Sequence, residues 1–315
     1  MQQTPRRSAK AEEQKNDRSV PFNSPNNTSM FPAWQCRERR VMLDVPRVMG
    51  ILNVTPDSFS DGGCYTDVGR AIEHALAMVE AGADILDIGG ESTRPGAQTL
   101  DEAEELRRVL PVIRGLAKAV TLPISIDTRH ANVARQAIEA GASIVNDVAP
   151  FIGDRAMATV VRESGAGLVL THTRGTPQDM MTKTLYEDVF STVEEELNRA
   201  MAFAMNQGIA REACVIDPGI GFAKDTEQNL HVLAAVKRLT ALAPVLIGAS
   251  RKRFIGEICS VPDASKRLGG SLCVAVWSVL QGASIVRVHD VKETKESLAM
   301  AMALKTACIR EKEAC

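Results

Sequence analysis

Arg287 and His289 alternate with Val286 and Val288 in Ser284-Ile-Val-Arg-Val-His289. Residues two apart on a strand share a face, so valines that meet a helical layer leave the guanidinium and imidazole on the opposite side. A buried guanidinium without an anion is costly, so Arg287 calls for an acidic partner or an anionic ligand. The same alternation applies to Asn53, Asp127, Asn146 and Asp217, each closing an apolar run of its own. Any one of them could be a hydrogen-bonded structural group. Six at matching positions describe a site. Asp87, within 84–88, fits the bracing of a neighbouring loop as well as it fits ligand contact.

The segments that follow these runs add complementary groups. Gly89-Gly-Glu-Ser-Thr-Arg-Pro-Gly96 offers backbone N–H groups, hydroxyls and the Arg94 guanidinium, without the Gly-Lys-Ser/Thr ending of a nucleotide phosphate loop. Guanidinium forks match phosphate oxygens, so Arg94, Arg287 and His289 together could clamp a diphosphate. A carboxylate accepts two parallel hydrogen bonds, an asparagine both donates and accepts, and a lysine donates. Asp217, Asn146 and the Lys252 of Ser250-Arg-Lys252 could therefore read the edge of a flat, nitrogen-rich ring. The polar stretch Pro56-Asp-Ser-Phe-Ser-Asp-Gly-Gly63 suits a lid. His172 could be a ligand or a core histidine, and is read as a packing or bracing residue. No second histidine or cysteine stands at zinc-ligand spacing, and no Gly-x-Ser-x-Gly elbow occurs.

These groups need a scaffold that brings distant runs to one rim. Eight short apolar runs predict strands at 48–54, 84–88, 124–127, 143–147, 168–172, 214–217, 245–249 and 284–289. Helical spacing lies between them: Val68, Ala71, Ile72, Ala75, Leu76 and Val79 fall on one face, as do Leu106, Val109, Leu110, Ile113 and Leu116. Phe190, Val193, Leu197, Ala200, Met201 and Ala204 repeat the pattern. Gly82, Gly141, Gly165, Gly208 and Gly282 stand where these helices stop, a place that favours a left-handed residue. Eight alternating strand–helix units predict a TIM (β/α)8 barrel, whose chemistry collects at the C-terminal ends of the strands. An open dinucleotide-binding sheet would carry a Gly-x-Gly-x-x-Gly after its first strand, and none is present.

The 315 residues carry 37 basic and 39 acidic side chains, a net charge of −2 that gives no support to a nucleic-acid or membrane-surface role. Seven cysteines, an odd number without a Cys-x-x-Cys pair, fit free thiols of a reducing, cytoplasmic compartment. No apolar run is long enough to span a bilayer. Residues 1–30 are polar and charged and are expected to form a disordered extension. Residues 31–46 should form a strand pair or cap before a domain spanning 47–315.

Taken together, Gly50-Ile-Leu-Asn-Val-Thr-Pro-Asp-Ser-Phe-Ser-Asp-Gly62, the 89–96 segment, Asp217-Pro-Gly-Ile-Gly-Phe222, Ser250-Arg-Lys252 and Arg287-Val-His289 strongly resemble the dihydropteroate synthase family, in order and in spacing. The resemblance implies joining of 6-hydroxymethyl-7,8-dihydropterin diphosphate to p-aminobenzoate, with release of diphosphate and assistance from Mg2+. It also implies a homodimer and sulfonamide sensitivity. Asp127, Asn146, Asp217 and Lys252 would grip the pterin. Asn53, Arg94, Arg287 and His289 would hold the diphosphate, with Asn53 on the metal. Thr93, Pro95, Phe222 and Ser250 would line the p-aminobenzoate pocket. Asp127, Lys252, Arg287 and His289 would serve the chemistry. Members of the family often carry a Met-x-His-Met run where this chain has Thr171-His172-Thr173. Two other readings stay open at this point: a pterin-binding methyltransferase, and a pterin-binding paralogue without activity.

Overall fold

The computed structural model describes residues 31–54, 64–91, 100–149 and 156–314. The expected extension 1–30, the 56–63 lid, Thr93, Arg94 and Pro95 lie outside the described residues.

A hairpin of β1 (Ala33–Cys36) and antiparallel β2 (Arg39–Met42) precedes the barrel. The barrel strands are β3 (Arg47–Asn53), β4 (Ile85–Gly89), β5 (Ile124–Asp127), β6 (Ile144–Asp147), β7 (Gly167–Thr171), β8 (Cys214–Asp217), β9 (Leu246–Ile247) and β10 (Ile285–Val288). All neighbours are parallel, in the order β8-β7-β6-β5-β4-β3-β10-β9. The ring closes where Ile216 bridges Val245 and donates its N–H to the Pro244 carbonyl at 3.0 Å. The expected 245–249 strand shortens to two residues because the chain after Ile247 leaves the sheet for the rim, where Arg251 is left-handed at φ 59°.

Around the strands run α1 (Cys64–Glu80), α2 (Glu102–Ala119), α3 (Ala131–Ala140), α4 (Ala156–Ser164), α5 (Val189–Asn206), α6 (Thr226–Ala234), α7 (Val236–Leu239), α8 (Arg253–Ile258), α9 (Leu268–Leu280) and α10 (Val291–Ala314). α2 and α6 begin at caps that also end rim loops. The Asp101 carboxylate accepts from Glu104 N at the start of α2, and Asp225 forms a capping box with Gln228 at the start of α6. The five glycines expected to stop helices all have positive φ, from 66° at Gly165 to 121° at Gly141.

Alternation sorts the strand residues into two cores. Val48, Leu52, Leu86, Ile88, Val145, Leu168, Leu170, Ile216, Val286 and Val288 pack outward among the helices. Met49, Ile85, Ile144, Val169, Val215, Leu246 and Ile285 fill the barrel interior. That interior cluster continues into Trp34, Cys36, Val41 and Leu43 of the hairpin, which therefore plugs the N-terminal end. Trp34 is fully buried and donates its indole N–H to the Ala213 carbonyl at 2.7 Å. Gly167 opens β7 against this plug, where a Cβ would stand 2.6 Å from Cys36 Sγ. Below the rim the barrel is solid, so ligands can enter only from the other end.

Candidate active site

One step above the apolar layer the interior turns polar. Asp87 of β4 pairs in register with Ser125 of β5, and both are wholly buried. The next inward positions are Asn53, Gly89, Asp127 and Asn146, linked by the registers Asn53↔Gly89, Gly89↔Asp127 and Asp127↔Asn146. Thr171 and Asp217 face each other across β7 and β8. Arg287 rises into this layer from β10, with Val286 and Val288 packed outward as the alternation demands.

Arg287 finds the anions that burial requires. Its Nε donates to Asp87 Oδ2 at 2.5 Å and its Nη2 to Asp127 Oδ2 at 2.6 Å. Burial disfavours the guanidinium charge, but Asp87 and Asp127 more than offset this and hold Arg287 protonated. Asn146 Nδ2 donates to the same Asp87 oxygen at 3.1 Å. One cation thus faces two carboxylates. Asp127 is pushed up to about 7, first by burial and then by Asp87, with Arg287 pulling the other way. Among the described residues the Oδ1 atoms of Asp87 and Asp127 have no hydrogen-bond partner. At the rim layer, the free acceptor of Asp127 fits a ligand bearing N–H groups.

Asp217, Lys252 and Phe222 form the opposite wall. Asp217 Oδ1 accepts from Gly219 N at 2.7 Å, and burial raises its carboxyl despite the nearby Lys252. Lys252 Nζ donates to the Ile220 carbonyl and lies 4.5 Å from the Phe222 ring centre, a cation–π distance. Burial lowers the Lys252 ammonium to about 8. Beside it, Ser250 Oγ stands 3.0 Å from His289 Nδ1, joining the ends of β9 and β10. Arg251, between the two site residues Ser250 and Lys252, is paired away with Asp290.

Two residues that the sequence left unassigned prove central. Asp87 anchors Arg287 and Asn146. Lys224, 1% exposed, donates to His172 Nδ1 at 3.0 Å, Gly219 O at 3.0 Å and Phe222 O at 3.1 Å. Its burial lowers the ammonium to about 7. Lys224 thereby staples the loop that carries Phe222 to β7. His172 points outward, where its Nε2 meets Glu196 of α5 at 2.8 Å, and burial lowers it to about 4. That is the bracing position expected of it.

Thr93, Arg94 and Pro95 fall in the undescribed 92–99, but the flanks of that stretch are joined at the rim. Glu91 Oε1 accepts from Leu100 N at 3.0 Å and from Arg129 Nη2 at 2.9 Å. A cavity of about 860 Å3 lies between residues 171–185 and α5. It touches the rim only at Thr171, His172 and Thr173, and the ionic constellation is elsewhere.

The pterin-binding enzyme family matches residues 49–289. Dihydropteroate synthase of Synechocystis is 44% identical over 258 residues, 82% of this chain and 89% of its own length. Xanthomonas albilineans dihydropteroate synthase, solved with 4-aminobenzoic acid, superposes with a TM-score of 0.82 at 43% identity, covering 87% of this chain and 98% of that one. The same enzyme solved with 7,8-dihydropteroate gives 0.79 at 40% identity, over 87% and 99% of the two chains. A closed barrel, an ionic rim and relatives of this similarity lead to one assignment: the chain belongs to the dihydropteroate synthase family of pterin-binding enzymes.

Proposed function

We propose that the rim binds 6-hydroxymethyl-7,8-dihydropterin diphosphate and condenses it with p-aminobenzoate. The observation that carries this is the convergence of Asp127, Asn146, Asp217 and Arg287 from four strands, with Lys252 from the loop after β9, at one polar rim. Asp127, Asn146 and Asp217 supply acceptors and a fixed amide to the edge of the pterin, with Lys252 donating to the ring. Asn53, Arg94, Arg287 and His289 hold the diphosphate, and Thr93, Pro95, Phe222 and Ser250 form the aryl amine pocket.

The C–O bond to diphosphate breaks with its electron pair leaving on oxygen, and a C–N bond forms as the amine gives up one proton to solvent. Positive charge builds on the pterin methylene and ring, beside the Asp127 carboxylate. Negative charge builds on the departing group, beside Arg287 and His289. Preorganised charges aimed at both ends lower the barrier without a covalent intermediate. Ionised Asp127 is the useful form, which sets an acid limb near 7 on activity.

Mg2+ accepts oxygen ligands and keeps several waters, usually sharing substrate phosphates with one or two protein groups. No cluster of three His, Cys, Asp or Glu side chains exists among the described residues. The half-buried Asn53, ending β3 at the rim, fits an ion held mainly by the diphosphate and water. When bound, such an ion would offset charge on the leaving group.

We also propose a domain covering 47–315 with 31–46 as its cap, a cytoplasmic location, and a homodimer. No described helix is long and apolar enough to cross a membrane. Exposed Trp277 and Leu280 of α9 and Met300 and Leu304 of α10 offer apolar surface for self-association. Light scattering at twice the chain mass is the expected result. The function itself is tested by mixing both substrates with purified protein, with and without Mg2+. Metal-stimulated release of dihydropteroate and diphosphate is expected, and a folded protein yielding neither product defeats the reading.

A further inference from the structure

We infer that Asp87 is a positioning residue for the condensation, acting by fixing the guanidinium of Arg287 and the amide of Asn146 from beneath. The inference rests on the condensation reading above. Strand alternation turns Asp87 inward, and its register with Ser125 places it one layer below Asp127 and Asn146. At that depth it is wholly buried, and a single oxygen, Oδ2, receives both Arg287 Nε and Asn146 Nδ2.

Each bond has a geometric consequence. A guanidinium is a rigid plane, so a charge-assisted bond at Nε fixes the direction of both Nη groups. One of these reaches Asp127. A carboxylate only accepts, so Asn146 must turn its NH2 toward Asp87 and keep its Oδ1 and second N–H for other partners. Asp87 thus sets the hydrogen-bond polarity of a group that reads the pterin. Its charge also competes for Arg287. With two carboxylates on one cation, Asp127 stays less neutralised than a simple pair would leave it.

The test is Asp87→Asn, nearly the same shape but neutral and no longer acceptor-only, with folding checked by circular dichroism. Against the wild type, kcat/KM for the pterin diphosphate should fall by roughly 10–100-fold, the scale seen when partners that orient ligating side chains are removed. KM for p-aminobenzoate should stay within about twofold, because the hydrogen bonds of Asp87 run to Arg287 and Asn146 and not to Phe222 or Ser250. The acid limb of kcat/KM should move to lower pH. Asp127 then keeps Arg287 and Lys252 as cations, while Asp87 drops out and Glu105 and Glu91 remain the other anions acting on it. An unmoved limb, a KM for p-aminobenzoate raised as much as that for the pterin diphosphate, or wild-type kinetics in the folded variant would overturn the inference. Should Asp87→Asn fail to fold, Asp87→Ser, smaller and still able to accept, carries the same comparison. An inactive wild type would strike the condensation reading instead, so the two failures are distinct.

Discussion

At the scale of the residue, the site is a problem in sharing one cation between two acids. Asp127 sits near 7 where an ordinary aspartyl group titrates near 3.8. The folded chain therefore holds a proton that the unfolded chain releases across that interval. This contribution to stability is present below 3.8 and is lost as pH rises through about 7. The melting temperature of the wild type minus that of Asp127→Asn should accordingly fall as pH rises across the window. A flat difference would refute the placement of Asp127. Its inward position, like those of Asn146, Asp217 and Arg287, was legible from alternation alone. Asp87 shows where legibility ends: parity points it inward, but only register shows that it lies one layer below Asp127 and Asn146. Lys224 was illegible for another reason. A lysine in a polar loop reads as a solvated charge, and nothing local announces that three acceptors enclose it.

At the scale of the element, the loop from Asp217 to Lys224 has the least freedom. Gly219, Gly221 and Ala223 all adopt positive φ, at 68°, 81° and 48°. A Cβ on Gly219 would stand 1.8 Å from the His172 carbonyl oxygen. Gly219→Ala should thus lose at least about 1–3 kcal/mol through backbone strain alone, and more through the collision with β7. Urea denaturation measures the first loss. Because the loop carries Phe222 and holds Lys252 through Ile220, turnover should fall further than stability. Full activity in this variant would contradict the staple. The Asp217-Pro-Gly-Ile-Gly-Phe222 motif marked the element in the sequence, whereas its fastening to β7 comes from residues about 50 positions away.

At the scale of the whole molecule, eight units and their order were readable because periodicity is local, and closure followed from their number. Residues 31–46 were readable as a strand pair or cap, but nothing in that segment names the cavity it fills. Trp34→Ala should cost about 3–5 kcal/mol, the range for emptying a buried aromatic site. Catalysis per folded molecule should be unchanged, because the plug and the rim lie at opposite ends. A lowered kcat at full folding would show the two ends to be coupled. The plug also imposes a schedule on synthesis. The hairpin leaves the ribosome early, but Trp34 waits 179 residues for the carbonyl of Ala213, and Arg37 waits for Gly165. Contacts so distant along the chain form late, so its apolar face must stay uncommitted while more than half of the barrel is made. In that interval the nascent chain is most open to chaperone capture or to self-association. Slowing translation after β7 should lengthen that exposure without altering the finished enzyme.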